Sequence, residues 1–222
     1  MSKKMMLLAL AAVSVAMFSL PAAASAGGYT VHPGGQAFAI TGVPGYWSTV
    51  GGDTINCNSK TGGGAYNAAG TGGTLQFTFH GCTAFGFSCN SSNPAQPAGT
   101  IQTTPLTFSN VFLNHQKKLG FTIGPSTVGG ALAHISCPFT TITWTGSVLG
   151  EVENLTCNAA TTKTIALNFE RKEAKHGIQK FNKVTETGVE EHLTLTKNGA
   201  PSTMAWTSTE TMNFVTAVGP TC

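Results

Sequence analysis

Apolar and polar residues alternate one by one through much of this chain, and this period of two restricts its fold more than any other feature. Between Thr74 and His80, for example, Leu75, Phe77 and Phe79 alternate with polar side chains. Successive side chains of a strand point to opposite faces of a sheet, so the pattern predicts strands with one buried face. A helical period is hard to find, which argues against a helical or mixed fold.

Short glycine runs separate the alternating segments, at positions 34–35, 51–52, 62–64, 72–73 and 129–130. Many short strands joined by glycine and proline turns are typical of all-β proteins. We therefore expect an antiparallel β-sandwich or a jelly-roll-like arrangement. Charged residues are concentrated after Gly150, but no linker rich in proline or serine marks a boundary there. Residues 27–222 are accordingly expected to form a single β-sandwich domain.

Residues 1–26 have the features of a secretory signal peptide. Two lysines stand near the start, an apolar run extends from Met5 to Leu20, and small residues at 24–26 provide a cleavage site. The apolar run is shorter than the roughly 20 residues that cross a bilayer comfortably. The sequence therefore predicts an exported protein that is secreted, periplasmic or associated with the cell surface, with no membrane span in residues 27–222.

Six cysteines lie in the expected mature chain, and an even number in an exported protein predicts three disulfides. Alternation puts Cys57 and Cys137 on apolar strand faces, as expected of partners across a core. The expected pairs are Cys57 with Cys137, Cys82 with Cys89, and Cys157 with Cys222, among the roughly 15 connectivities that six cysteines permit. No C-x-x-C pair occurs, so no metal site is expected from the cysteines.

The chain carries little charge. Charged residues make up 9% of it, against roughly 25% in an average soluble domain. Threonine, which is polar yet fits a pleated strand, occurs 33 times. Loss of Lys3 and Lys4 with the signal peptide would reduce the formal net charge from +3 to +1. So small a positive charge attracts phosphate backbones poorly, and nucleic-acid binding is not expected.

Several motifs carry a family resemblance. The segment Gly73–Cys82 (GTLQFTFHGC) is followed by Cys89 and then by Pro97–Leu106 (PAGTIQTTPL). In this order the motifs resemble a group of exported bacterial β-rich proteins with no established activity. The resemblance covers most of residues 27–222 and implies a similar topology, but it implies no function.

A second similarity is to the exported proteins called activators of alkane oxidation. It rests on the pattern Val31-x-Pro33, on Phe38–Gly42 and on the strand that ends at Cys57. The sequence departs from that family after Cys82, so no activating role is implied.

Glu151 and Glu153 are the best candidates for a catalytic pair of carboxylates, since residues two apart on a strand share a face. Glycoside hydrolysis requires such a pair in a cleft. The alternation, however, puts Val148, Gly150 and Val152 on the apolar face, which turns both glutamates toward water. A β-bulge in this strand would reverse their orientation, so a polysaccharide-active hydrolase stays an alternative.

Other enzyme chemistries have less support. Asp53 is the only aspartate and no G-x-S-x-G elbow occurs, so a serine hydrolase lacks its components. The histidines show no spacing typical of a metal site, and no glycine-rich loop leads from a strand into a helix. We therefore expect neither enzymatic activity nor a cofactor.

Four aromatic residues lie in loop-like segments. Tyr46 and Trp47 lie in a segment bounded by glycines, and Phe85 and Phe87 lie between two cysteines. Exposed aromatic side chains on a rigid β frame suit the binding of sugars or partner proteins. The simpler interpretation is that they cover an open end of the sandwich, and the sequence leaves both interpretations open.

These observations favour a non-catalytic structural or adhesive binding module, with envelope polysaccharide or a surface protein as its partner. Two alternatives stay open. A hydrolase would need Glu151 and Glu153 in a groove. A carrier of a small apolar ligand would need an internal cavity lined by phenylalanine and leucine.

Overall fold

The structure is a computed structural model that describes residues 28–113, 118–173, 176–185 and 187–222. Within these ranges the chain forms strands and no helix, and the paired strands are antiparallel. The all-β, antiparallel class that the alternation predicts is confirmed. The expected signal peptide, residues 1–26, lies outside the described residues.

Eighteen strands follow one another along the described residues. In chain order they are β1 (Thr30–His32), β2 (Ala37–Gly42), β3 (Gly45–Thr49), β4 (Thr54–Cys57), β5 (Ser59–Tyr66), β6 (Gly72–His80), β7 (Thr83–Ala84), β8 (Phe87–Ser88), β9 (Asn90–Asn93), β10 (Thr100–Gln102), β11 (Leu106–Leu113), β12 (Lys118–Pro125), β13 (Ala131–Cys137), β14 (Thr140–Gly146), β15 (Val148–Val152), β16 (Thr162–Phe169), β17 (Leu193–Lys197) and β18 (Ala200–Thr221). Strands β1 and β10 each pair with one other strand, at the ends of β18 and β6 respectively.

Eight of the strands close into a barrel. Around the barrel the order is β2, β5, β6, β11, β12, β15, β16 and β18, and β18 pairs with β2 to complete the circle. Each of the eight strands therefore has a hydrogen-bonded neighbour on both sides. The expected sandwich or jelly roll is not confirmed. Alternation along a strand is the same in an open and in a closed sheet, and only the pairing of β18 with β2 distinguishes them.

A second sheet is open and shares one strand with the barrel. Its order is β9, β13, β14, β17, β18, β3, β4, β7 and β8. Residues 200–207 of β18 pair with β17 and β3 in this sheet, whereas residues 208–218 pair with β16 and β2 in the barrel. The chain thus passes from one sheet to the other without a turn.

Strand β18 keeps one face buried where it crosses between the sheets. The residues on this face are Met204, Trp206, Ser208, Glu210, Met212 and Phe214. Because their period of two is not interrupted, the interior of the barrel and the inner face of the second sheet merge into one buried cluster. Trp206 lies at the junction, where its ring stacks on Phe169 at 4.3 Å and lies 5.7 Å from Trp47.

Three disulfides form, as expected, but two of the pairings differ from the prediction. Cys57 bonds to Cys82, and Cys89 bonds to Cys137. The predicted Cys57–Cys137 and Cys82–Cys89 bridges are therefore wrong. The reason is strand pairing, since β4 lies beside β7 and β9 lies beside β13. These contacts bring the Cα atoms of the observed partners to 4.0 Å and 4.5 Å.

The third bridge fastens the end of β18. Cys157 follows β15 and bonds to Cys222, with Cα atoms 5.5 Å apart, so this predicted pair is confirmed. Disulfides form and persist in oxidising surroundings, and the three bridges indicate an extracellular type of environment. None of the described residues belongs to a helix that could span a bilayer.

Candidate functional site

Three hairpin turns meet at one end of the second sheet and form a cleft lined by aromatic rings. The turns connect β7 to β8, β13 to β14, and β17 to β18. The cleft has a volume of about 230 Å³, and its lining residues are Phe85, Phe87, Cys137, Phe139, Thr140, Lys197 and Asn198. We refer to it as the aromatic cleft.

The first turn presents Phe85 and Phe87, two of the predicted binding residues. Phe85 and Gly86 both have a positive φ, 54° and 80°, as in a two-residue type I′ turn. A bulky residue rarely adopts this conformation, so the hairpin holds Phe85 at its tip at a conformational cost. Phe85 and Phe87 are 40% and 44% exposed, and both rings are accessible from solvent.

Sequence reasoning missed the third ring, Phe139. This residue lies in the turn between β13 and β14 and is 79% exposed. Its ring meets that of Phe87 edge to face, with centroids 5.2 Å apart and an interplanar angle of 79°. A signal was present in the sequence, since Pro138 interrupts two alternating segments and marks a turn. An aromatic side chain in such a turn has no strand face to bury it.

Polar groups form the other wall of the cleft. The Lys197 ammonium lies 4.7 Å from the centre of the Phe85 ring, in a cation–π contact. The same ammonium is 2.8 Å from a carboxylate oxygen of Asp53. Oδ1 of Asn198 accepts a hydrogen bond of 3.0 Å from Thr140 Oγ1. Asn198 is exposed, and this bond leaves its amide hydrogens available to a ligand.

Two disulfides clamp the first turn from both sides. Cys82 precedes β7 and is bonded to Cys57, and Cys89 follows β8 and is bonded to Cys137. Cys137 also ends β13, directly before the turn that carries Phe139. The rings of the aromatic cleft are thus mounted on covalently linked strands. Such preorganisation reduces the entropy lost when a ligand binds.

The other two predicted aromatics are not part of the cleft lining. Trp47 lies in β3 and is buried, and its ring stacks on Trp144 at a centroid distance of 4.9 Å. It belongs to the core, and its ring is not presented to solvent as an exposed binding residue would be. Tyr46 is half-buried, and the Arg171 guanidinium lies 5.5 Å from the centre of its ring. The segment is a strand rather than a loop, so alternate residues turn inward.

Glu151 and Glu153 lie on the outer face of the barrel wall, as the alternation predicts, but the Glu151 side chain is only 13% exposed rather than open to water. Val152 between them is buried. Oε1 of Glu151 is 2.6 Å from the Lys118 ammonium, and Oε1 of Glu153 accepts a 2.6 Å hydrogen bond from Asn168. Each carboxylate therefore has its own polar partner, and neither lines the aromatic cleft.

A buried pair of opposite charges lies inside the barrel, and sequence reasoning missed it. The Lys60 ammonium on β5 contacts the Glu210 carboxylate on β18, and both side chains are fully buried. Ser208 Oγ donates a 2.8 Å hydrogen bond to the same carboxylate. Burial lowers the pKa of Lys60 and raises the pKa of Glu210, while the attraction between the two charges opposes both shifts. The signal was the unbroken alternation from Met204 to Phe214, which puts Glu210 on the apolar face.

A small void lies in the core. The void beside its tryptophans, lined by Trp47, Trp144 and Trp206 among others, has a volume of about 20 Å³. This volume accommodates roughly one water molecule. Within the described part of the chain, no three histidine, cysteine, aspartate or glutamate side chains are grouped so as to hold a metal ion.

Comparisons with protein families, with curated proteins and with solved structures found no match. No relative therefore supplies a function for this chain. Inferences about its function must therefore come from the geometry of the aromatic cleft and of the buried charge pair.

Proposed function

We propose that this protein is an exported, non-catalytic binding module of the cell envelope or extracellular space, and that it attaches to a polysaccharide through the aromatic cleft. The supporting observation is the cleft itself, in which three partly exposed phenylalanine rings stand on a disulfide-linked frame. Apolar side chains grouped on a surface are typical of interaction sites.

The lining of the cleft favours a segment of glycan. The C–H faces of a sugar ring pack against aromatic rings, while its hydroxyl groups exchange hydrogen bonds with polar groups beside them. Lys197 and Asn198 offer donors in the lining of the cleft, and Asp53 offers acceptors where it contacts the Lys197 ammonium. The volume of about 230 Å³ is below the roughly 300–1,000 Å³ of pockets that enclose a whole small molecule. A cleft of this size suits part of a polymer.

The alternatives have less support from the geometry. Glu151 and Glu153 face outward on the barrel, and each is engaged by its own partner. The small void in the core gives no support to a carrier of apolar ligands. A surface protein as the partner is the remaining possibility, and the binding experiment distinguishes it from a glycan.

The test is to measure binding of residues 27–222 to immobilised envelope polysaccharides and to surface proteins. The double variant Phe87→Ala/Phe139→Ala removes two rings of the cleft. Val128→Ala/Val215→Ala is the matched control, because these valines are 84% and 88% exposed and lie outside the cleft lining. We expect the unaltered protein and the control to bind at least one polysaccharide, and the cleft variant to lose at least about tenfold in affinity, equivalent to about 1.4 kcal/mol.

Three outcomes would contradict the proposal. Binding to proteins alone would replace the glycan by a protein partner. Polysaccharide binding that survives in the cleft variant would move the site elsewhere on the surface. Release of sugar fragments by the unaltered protein would instead indicate a hydrolase.

A further inference from the structure

Lys60, Gly42 and Glu210 form a row across three neighbouring strands of the barrel. Gly42 on β2 pairs with Lys60 on β5 at one side and with Glu210 on β18 at the other. Directly paired residues share a face of the sheet, so both charged side chains point into the barrel. Neighbouring strands lie roughly 4.8 Å apart, and the two side chains meet above the strand between them.

The glycine in the middle of this row makes the contact possible. A Cβ atom on Gly42 would lie 2.2 Å from Cε of Lys60 and 2.9 Å from Oε2 of Glu210. A side chain at this position would therefore compete for the space in which the Lys60 and Glu210 side chains meet. The row is shaped for direct contact between the two groups.

The contact is shielded from water, and the Glu210 carboxylate does not make all the hydrogen bonds that it could accept. The Trp206 ring covers Lys60, with its centre 5.2 Å from Nζ. Oε1 of Glu210 accepts the hydrogen bond from Ser208, whereas Oε2 has no hydrogen-bond partner among the described residues. Two buried charges and an unpaired oxygen are unfavourable in such surroundings. A neutral amide in the same place would carry no charge and would lack the unpaired oxygen.

We propose that Lys60 and Glu210 condense into an intramolecular isopeptide bond after the barrel has folded. One proton first passes from the ammonium to the carboxylate, which gives a neutral amine and a neutral acid. Nζ then attacks Cδ of Glu210, so that the Nζ–Cδ bond forms and the Cδ–Oε2 bond breaks. Oε2 leaves as water with two of the three ammonium protons. The third proton stays on the amide nitrogen, and Oε1 keeps its hydrogen bond from Ser208 as the carbonyl oxygen.

The surroundings of the pair favour this reaction. Burial disfavours both charged forms and so assists the first proton transfer. Contact between the reacting groups replaces a bimolecular encounter by an intramolecular step, which is a large kinetic advantage. Gly42 ends β2 and the exposed Val43 follows it, so the row lies at the end of a barrel strand.

The bond would tie β5 to β18 over a sequence separation of 150 residues. Unlike the three disulfides, an amide is not broken by reducing agents. The bond goes beyond the proposed binding function and does not depend on it.

The test is the mass of the intact, folded protein after its disulfides have been reduced. We expect a mass lower than that of the sequence by one water molecule. Trypsin should fail to cleave after Lys60, and the digest should contain a branched peptide that joins this region to the segment after Lys197. The matched control is Lys60→Arg, which keeps a cation beside Glu210 but has no amine, and it should show the full mass of its sequence.

Unaltered protein that is folded, has three disulfides and retains its full mass would overturn the proposal, as would normal tryptic cleavage after Lys60. Such a result would leave an ordinary buried ion pair. Should the Lys60→Arg variant fail to fold, the mass and the peptide map of the unaltered protein decide the question by themselves.

Discussion

The barrel and the second sheet deal with unpaired strand edges in different ways. The barrel closes on itself when β18 pairs with β2, and backbone hydrogen bonds complete the circle. The second sheet ends in β8 and β9, which are two and four residues long. Its edges are fastened by the Cys57–Cys82 and Cys89–Cys137 bridges. Covalent links thus appear where short strands offer too few hydrogen bonds to hold an edge.

The two regions also differ in what they keep from water. The barrel encloses its unusual groups, the Lys60–Glu210 pair, in the interior. The second sheet displays its unusual groups, Phe85, Phe87 and Phe139, at one end. A closed wall can isolate a reactive pair, whereas an open sheet with clamped turns can present apolar rings to a partner.

Removing Lys60 from the interior of the barrel is expected to have the largest effect. Lys60→Met leaves the Glu210 carboxyl buried alone, and removing one member of a buried pair costs about 3–5 kcal/mol. The double variant Lys60→Met/Glu210→Met fills the same space with apolar side chains and should recover most of this loss. Urea unfolding with the disulfides intact measures the difference between the variants. Neither variant can form the isopeptide bond, and equal stability of the two would show that Glu210 is not effectively buried.

The pH dependence of Lys60→Met sharpens this expectation. Burial raises the pKa of Glu210, and in this variant the positive charge of Lys60 is no longer present to oppose that rise. A carboxyl with a raised pKa binds more protons in the folded than in the unfolded state. The free energy of unfolding therefore falls as pH rises from the unfolded value of about 4.3 through the higher folded value. The deficit relative to the double variant should shrink as pH is lowered toward about 4, and a deficit that does not change with pH would contradict the assignment.

Removing a disulfide at an edge of the second sheet should destabilise the protein about as much as Lys60→Met does. Unlike Lys60→Met, it should also weaken polysaccharide binding. Cys89→Ser/Cys137→Ser removes a bridge with a sequence separation of 48, worth about 4 kcal/mol in the chain-entropy model. Polysaccharide binding should fall as well, because the turn of the aromatic cleft loses one clamp. Cys157→Ser/Cys222→Ser, with a separation of 65, is the matched control that should lose stability but keep binding. Equal binding losses in both variants would argue against a local role for the clamp.

One phenylalanine in each region tests whether buried rings of the barrel serve stability and exposed rings of the second sheet serve binding. Phe139→Ala at the exposed turn should change the free energy of unfolding by less than about 0.5 kcal/mol while weakening polysaccharide binding. Phe121→Ala, at a residue that is 1% exposed in the barrel, should cost about 3–5 kcal/mol. Thermal unfolding and binding assays on both variants provide the comparison. A large stability loss in Phe139→Ala would mean that this ring serves the fold.

The smallest effect is expected on the outer wall of the barrel. Replacing Glu151 and Glu153 together by glutamine should change stability by no more than about 1 kcal/mol, since partly exposed ion pairs contribute little. Binding should also stay the same, because neither residue lines the aromatic cleft. Both quantities are measured by urea unfolding and by the polysaccharide assay. Turnover of a polysaccharide that disappears in this variant would make the protein an enzyme.

Local pattern alone predicted the all-β class, the three disulfides and the outward orientation of Glu151 and Glu153. It also singled out Phe85 and Phe87, which the structure brings into the aromatic cleft. Each of these features depends on which face of a strand a residue occupies, or on the even number of cysteines in the chain. The period of two carries the first kind of information directly.

Only the tertiary structure decided which strands are neighbours. Pairing of β18 with β2 closes the barrel, and pairing of β4 with β7 and β9 with β13 selects the disulfide partners. The same kind of contact brings Lys60 to Glu210, across 150 residues of sequence. Alternation assigns each side chain to a face, but every strand of an antiparallel sheet shows the same alternation. The choice of neighbour depends on packing and hydrogen bonding between distant segments, which no local pattern records.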